Sequence, residues 1–169
     1  MSRFADFDLG PEPGWSPADP LSALASRDNF VRTRDPDRIR LEYYRVPGET
    51  PMYAKVVFGP GAEGPPNHAH GGALMAVLDE IAGGTAWVNG YRVVLANFQA
   101  DMRRSVPLEK VVMVTGDIVD VSGRKVTATG VIADLDGTVY VEAKGLFIRL
   151  SDDQASRFNL PAPTDGPKS

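Results

Sequence analysis

The patterning of the chain predicts an α+β fold in which one long helix meets one antiparallel sheet of about six strands. Three observations carry this. Six runs alternate apolar with polar residues, short glycine-bearing turns join the last of them, and a single alanine-rich segment, residues 71–89, has helical spacing instead.

Residues 38–46 alternate Ile39, Leu41 and Tyr43 against charged neighbours, as a half-buried strand does. Residues 51–58 form a second strand after the turn that begins at Val46-Pro47-Gly48. Residues 91–104 form a long strand, with Tyr91, Val93, Leu95 and Asn97 on one face and Arg92, Val94, Ala96 and Phe98 on the other. Residues 111–121, 125–133 and 139–150 follow, joined at Ser122-Gly123 and Asp136-Gly137, and read as an antiparallel meander. Residues 1–36 are a proline-rich leader, with four prolines in residues 10–20 that oppose regular structure and a short helix expected over residues 21–31. Residues 37–150 carry the patterned domain, and 151–169 are a C-terminal tail whose end, 161–169, reads as frayed.

The 169 residues are 43% hydrophobic and 24% charged, which suits one domain with one core. A net charge of −4 argues against a nucleic-acid partner, because backbone phosphates require a basic footprint. Neither a membrane-spanning apolar run nor a signal-peptide core is expected, so the chain reads as a cytoplasmic protein with no membrane partner. The absence of cysteine removes disulfides, thiolate catalysis and cysteine-ligated metal together. Any chemistry therefore falls to histidine, carboxylates, hydroxyls or backbone amides.

In residues 71–89 the large apolar residues Leu74, Val77, Leu78, Ile81 and Val88 gather on one side of the helix. The only charges are Asp79 and Glu80, and Asp79 points away from that side among Gly72, Met75, Ala76, Ala82, Gly83 and Ala86. A solvated face would carry long polar side chains; this one invites close packing around a carboxylate. Asp79 then reads either as a working group or as one half of an ion pair across an interface. Before the helix, Asn67-His68-Ala69-His70 leads into Gly71-Gly72. Unpaired amides at a helix start, with no Cβ in the way, suit a phosphate or a forming oxyanion.

His70-Gly71-Gly72, six residues and Asp79, followed by a small-residue helix, resemble the hotdog-fold thioesterase superfamily. Gly64-Pro65-Pro66, Leu78-Asp79-Glu80 and the run 98–110 look like its acyl-CoA thioesterase branch, near the phenylacetate-pathway type. The resemblance spans residues 38–150. It implies a curved sheet wrapped around the helix, with active sites shared across a homodimer or a dimer of dimers. It implies that Asp79 is nucleophile or general base, that the Gly71 amide polarises the thioester carbonyl, and that His70 belongs to the same catalytic group. Gly72, Asn67, His68, Glu80, Leu95, Asn97, Arg103 and Arg104 are the corresponding candidates for substrate contact. The substrate is an acyl-CoA, with no cofactor. Arg92, Arg103, Arg104 and Lys125 are candidate partners for its phosphates. Eight residues of helix separate Gly71 from Asp79 by about 12 Å, which favours one site built from two chains.

This chain departs from the family at three places. Leu95 stands where a serine or threonine is common, so Asn97 becomes the candidate to position water. Gly64 stands where some members have asparagine, and Ser105 where proline is common. Three other readings compete: a non-catalytic acyl-CoA-binding hotdog protein, a hotdog hydratase whose Asp-His or His-Glu arrangement is not found here, and a cupin-like metal protein using His68-Ala69-His70. The last lacks both the nearby glutamate and a third histidine.

Overall fold

The structure is a computed structural model that describes residues 6–20, 29–32, 35 and 37–160. Its described residues form β1 (Ser16–Pro17), β2 (Ile39–Arg45), β3 (Met52–Phe58), α1 (Gly71–Val88), β4 (Val93–Met102), β5 (Val111–Ser122), β6 (Lys125–Ala133), β7 (Val139–Arg149) and α2 (Asp152–Arg157). The strands make one sheet in the order β1-β2-β3-β5-β6-β7-β4, antiparallel throughout. The sheet wraps around α1, which touches β3, β4, β5, β6 and β7. This is the hotdog architecture.

Period two explains the core. Leu41 and Tyr43 of β2, Ala54, Val56 and Phe58 of β3, Val112 and Val114 of β5, and Ile132 of β6 bury one face against Leu74, Val77, Leu78 and Ile81 of α1. The helix lies so close that neighbouring positions of the sheet have no side chain. Gly116 pairs with Gly130. A Cβ on Gly116 would stand 2.4 Å from Thr85 Oγ1 and 2.7 Å from the Ile81 carbonyl, and one on Gly130 would stand 3.0 Å from Leu78 Cδ2. Glycine here fixes the depth at which α1, and with it Asp79, sits in the sheet.

The seventh strand comes from the leader. The expectation that residues 10–20 hold no regular structure is corrected at Ser16 and Pro17, which pair with Arg45 and Tyr44 of β2. A proline is tolerated there because β1 is an edge and its missing N–H is not required. Before β1 the leader lies on the outer face of the sheet: Leu9 packs on Val57, Trp15 stacks on Tyr53 at 4.6 Å, and Glu12 reaches Lys55 at 2.7 Å. The helix expected over 21–31 lies mostly outside the described residues, and Asn29–Val31 are not helical. The tail begins with α2, closed by a capping box between Ser151 and Gln154; residues 161–169 lie outside the described residues. No helix among the described residues is long and apolar enough to cross a membrane.

Candidate active site

The loop before α1 is held in place by its own backbone. His70 N–H donates to the Ala62 carbonyl at 2.8 Å, Gly64 N–H to the His68 carbonyl at 2.9 Å, and Ala69 N–H to the Val106 carbonyl at 2.9 Å. Gly64 is required by this closure, since a Cβ there would meet His70 Cα at 2.7 Å. An asparagine at that position could not pack as this loop does.

His70 is the N-cap of α1, and its Nδ1 accepts the Gly72 N–H at 2.9 Å. An accepting Nδ1 places the ring proton on Nε2. The amides of Ala73 and Leu74 both donate to the His70 carbonyl, at 2.9 and 3.1 Å. Among the described residues, the Gly71 N–H alone of these first four has no acceptor. It opens on a cavity of about 280 Å³ bordered by Pro65, Ala69, Leu74, Met102, Arg103, Arg104 and Ser105. Arg103 pairs with Glu142, and Arg104 donates to the Val139 carbonyl at 2.9 Å. The N-terminus of α1 thus brings together one free amide, the positive end of the helix dipole and two guanidinium groups, a combination of the kind that favours anions.

Asp79 borders a different cavity, of about 200 Å³, lined by Pro20, Glu80, Gly83, Gly84, Trp87, Val93, Leu95 and Phe147. The two cavities share no residue. Asp79 is half-buried and, among the described residues, has neither hydrogen bond nor ion pair; burial pushes its carboxyl above the ordinary carboxylate range. Glu80 is pushed up as well, first by burial and then by the charge of Asp79, while its bond from Asn29 Nδ2 at 2.9 Å opposes the shift. The buried Tyr43 hydroxyl lies near the same carboxylate without completing a hydrogen bond of normal geometry.

The other candidates fall out as follows. Gly72 is accessible, but its amide is taken by His70. Asn67 adopts a left-handed conformation, gives its N–H to Glu63 at 2.7 Å and accepts from Leu108 at 3.0 Å, which makes it a turn residue of the loop. His68 Nδ1 lies 2.9 Å from the Pro66 carbonyl, and the residue bridges to Pro107. Leu95 borders the Asp79 cavity, but Asn97 does not share its face. The register shifts between them, with Leu95 opposite Phe147 and Asn97 opposite Leu146. This one-residue bulge reverses the alternation expected for residues 91–104 and turns Asn97 to the other side of β4. The small-residue face around Asp79 needs a correction too. Ala82 and Ala86 are fully buried with Val93, Val126, Ala128 and Phe147 of the same chain, and a Cβ on Gly83 would meet the Phe147 ring at 3.3 Å. Gly72 and Met75 remain exposed on that face. Arg92 is paired with Asp152, and Lys125 starts β6; both lie toward the end of the sheet opposite Arg103 and Arg104.

Sequence reasoning placed Gly83 on the face of Asp79 but missed Trp87, one four-residue step further along the same helical ridge. It also missed Pro20, Asn29 and Phe147, which reach the site only through tertiary packing.

One sheet wrapped on a glycine-opened helix, with a free amide at its start and a bare carboxylate two turns on, defines a hotdog protein. Residues 66–141 match the family model described as the thioesterase superfamily. The acyl-coenzyme A thioesterase THEM4 of Xenopus laevis is 32% identical over 124 residues, which cover 72% of this chain and 56% of that protein. The chain therefore spans little more than half the length of that relative. A crystal structure of a thioesterase superfamily protein superposes with a TM-score of 0.61 at 30% identity, over 64% of this chain and 53% of the other. A hypothetical thioesterase from Streptococcus pneumoniae TIGR4, solved with coenzyme A, shares the fold with a TM-score of 0.57 at 17% identity, over 60% and 79% of the two chains. The chain is a hotdog-fold relative of the thioesterase superfamily.

Proposed function

We propose that this protein is an acyl-CoA thioesterase whose active sites are shared between two copies of the chain. One observation carries the reading: the free Gly71 amide and the bare Asp79 carboxylate stand on one helix but in separate cavities. Their separation along α1 is about 12 Å, too far for one thioester to touch both in one chain. The name of the Xenopus relative and the coenzyme A in the Streptococcus structure support the substrate class.

The second copy has a place to dock. β4 is an edge strand of ten residues, its outward groups paired with no strand among the described residues, and its only charged residue is Asp101. Val94, Leu95 and Met102 are exposed along it, and an edge so unprotected invites pairing with another strand. An antiparallel pair of α1 helices that brings Asp79 to the partner's Gly71 has its two-fold axis midway, at residue 75. Met75 is the large apolar side chain of α1 left exposed, 38% accessible. A dimer centred there buries it against its own copy.

In such a site the thioester carbonyl oxygen accepts from the partner's Gly71 N–H, and Arg103 and Arg104 beside that amide face the phosphates of CoA. Asp79 takes a proton from water as the water oxygen adds to the carbonyl carbon. The oxyanion forms against the amide, the C–S bond breaks, and the proton passes from Asp79 to the departing thiolate. If Asp79 is itself the nucleophile, its oxygen adds instead and water later cleaves the anhydride. The test is thiol release from a panel of acyl-CoAs with wild type and Asp79→Asn. The expected result is hydrolysis by wild type and a loss of about 10³-fold in kcat in the variant. Tight acyl-CoA binding by wild type without thiol release would instead favour a non-catalytic binding protein, the reading that Leu95 at the usual hydroxyl position supports.

A further inference from the structure

The cavity at Asp79 is not made by the hotdog domain alone. Pro20 of the leader forms one side of it, and a Cβ on Gly84 would stand 3.0 Å from the Pro20 ring. Two limbs of the leader meet here. Ala18 N–H donates to the Tyr43 carbonyl at 2.9 Å, and Arg32 bonds both oxygens of Asp19 at 3.1 Å, joining the limb that ends at Pro20 to residues 29–32. Val31 is sunk in the main core, 2% exposed. The tie to the helix itself is Asn29. Its Nδ2 donates to Glu80 Oε1 at 2.9 Å, while its Oδ1 accepts from the amides of Val31 and Arg32. The far end of the cavity is equally fixed, because the Trp87 indole N–H is held by the Val93 carbonyl at 3.2 Å and the Phe147 ring stands opposite Gly83.

We propose that the leader is a wall of the acyl pocket, that Asn29 and Glu80 are the positioning residues that hold it against α1, and that the enzyme takes compact acyl groups, aromatic or short, in preference to long chains. This rests on the thioesterase reading, since it places the acyl group beside Asp79. The part of the pocket that one chain supplies is about 200 Å³, bordered by Pro20 on one side and by Trp87 and Phe147 on another. The lining is mainly proline, glycine and aromatic or aliphatic side chains, with carboxylates only at the helix side where the thioester would lie. A long chain would have to displace Pro20, and with it the Asn29–Glu80 contact.

The test compares kcat/KM over straight-chain CoA thioesters from acetyl to palmitoyl, together with phenylacetyl-CoA. Wild type should favour the short and aromatic substrates. Asn29→Asp keeps the acceptor for the amides of Val31 and Arg32 but sets a carboxylate against Glu80, so the long-to-compact ratio should rise about tenfold. The double variant Asn29→Asp with Glu80→Gln exchanges donor and acceptor and should return the ratio toward wild type. Pro20→Ala leaves the contact intact and only trims the wall, so it should move the ratio the same way as Asn29→Asp and provides a second route if that variant folds poorly. A wild type that prefers palmitoyl-CoA, or a ratio unmoved in folded Asn29→Asp and Pro20→Ala, overturns the proposal and leaves the thioesterase standing. Failure of the folded wild type to cleave any thioester removes the thioesterase reading itself and this inference with it.

Discussion

His70 holds the Gly72 amide through Nδ1 at 2.9 Å, and that bond decides which amide of α1 is left for a substrate. The His70 carbonyl takes the Ala73 amide and, as the first regular bond of the helix, that of Leu74, while the His70 N–H goes to Ala62. Three of the four orphan donors of the helix start, on His70, Gly72 and Ala73, are thereby satisfied. The fourth, on Gly71, faces a cavity with Arg103 and Arg104. The tandem glycines therefore do different things: Gly72 leaves room for the capping ring, whose Nδ1 lies 3.0 Å from where a Cβ would stand, and Gly71 leaves its amide open.

Gly71→Pro tests this assignment cleanly. Residue 71 is the first helical position, where proline is tolerated, and His70 already has the extended backbone that a following proline requires. A Cβ there meets only Met102 Cε, at 3.9 Å. The variant should keep its thermal midpoint within a few degrees and lose about 10²–10³ in kcat, the usual cost of one oxyanion donor. Wild-type turnover in a folded variant would remove Gly71 from the mechanism.

The raised carboxyl of Asp79 has opposite consequences for activity and stability. Activity needs the ionised form, so kcat/KM should fall as pH drops through a value above the ordinary 3.8. For folding, a proton held more tightly in the native state than in the unfolded chain stabilises fully below 3.8, and that contribution is lost as pH rises through the native value. Denaturation of Asp79→Asn and wild type across pH should therefore show the variant gaining relative stability as pH rises. Glu80 is raised by burial in both proteins, but the variant also loses the part of that shift caused by the Asp79 charge, which adds to its relative gain as pH rises.

Gly116→Ala should destabilise by about 1–3 kcal/mol, because the added methyl meets the Thr85 hydroxyl and the Ile81 carbonyl rather than a side chain free to move. Chemical denaturation measures it. A neutral result would mean that α1 is not seated on the sheet as described.

Much of the fold was legible because it rests on local periodicity. The strand 125–133, the start of the helix at Gly71 and the strand ends at Phe58, Val111 and Val139 coincide with expectation, and the remaining ends of the expected strands differ by one or two residues. What escaped depends on distant contacts. The bulge between Leu95 and Asn97 is a property of pairing with β7, so an alternating sequence could not reveal that Asn97 turns away from Leu95. Ala82 and Ala86 read as part of a close-packing face suited to a partner helix, yet they are covered by β4, β6 and β7 of the same chain, whose placement over the helix no spacing encodes. The tie between Asn29 and Glu80 spans 51 residues and leaves no local trace. Asp79, by contrast, stood out as a carboxylate on a helix face of small residues, a pattern that left both a working group and one half of an interface ion pair open.

The two-fold axis at residue 75 can be checked chemically. The chain has no cysteine, so Met75→Cys introduces a single thiol per protomer. Mild oxidation should give a disulfide-linked dimer, which requires the two Cα atoms to approach within about 7 Å. Cysteine placed instead at exposed Val119 or Leu135 should not cross-link. A Met75→Cys protein that stays unlinked while sedimenting as a dimer would place the axis elsewhere.

The most direct test of a site shared between chains is subunit mixing. Asp79→Asn and Gly71→Pro proteins, each inactive alone, are combined under conditions of demonstrated exchange and assayed for thiol release. In a mixed dimer, Asp79 of one chain meets the intact Gly71 of the other, so one of its two sites is whole. Random two-fold pairing at equal concentrations should restore about one quarter of wild-type activity. No recovery, with both variants folded and exchange proven, would show that Asp79 and Gly71 do not act together across the interface.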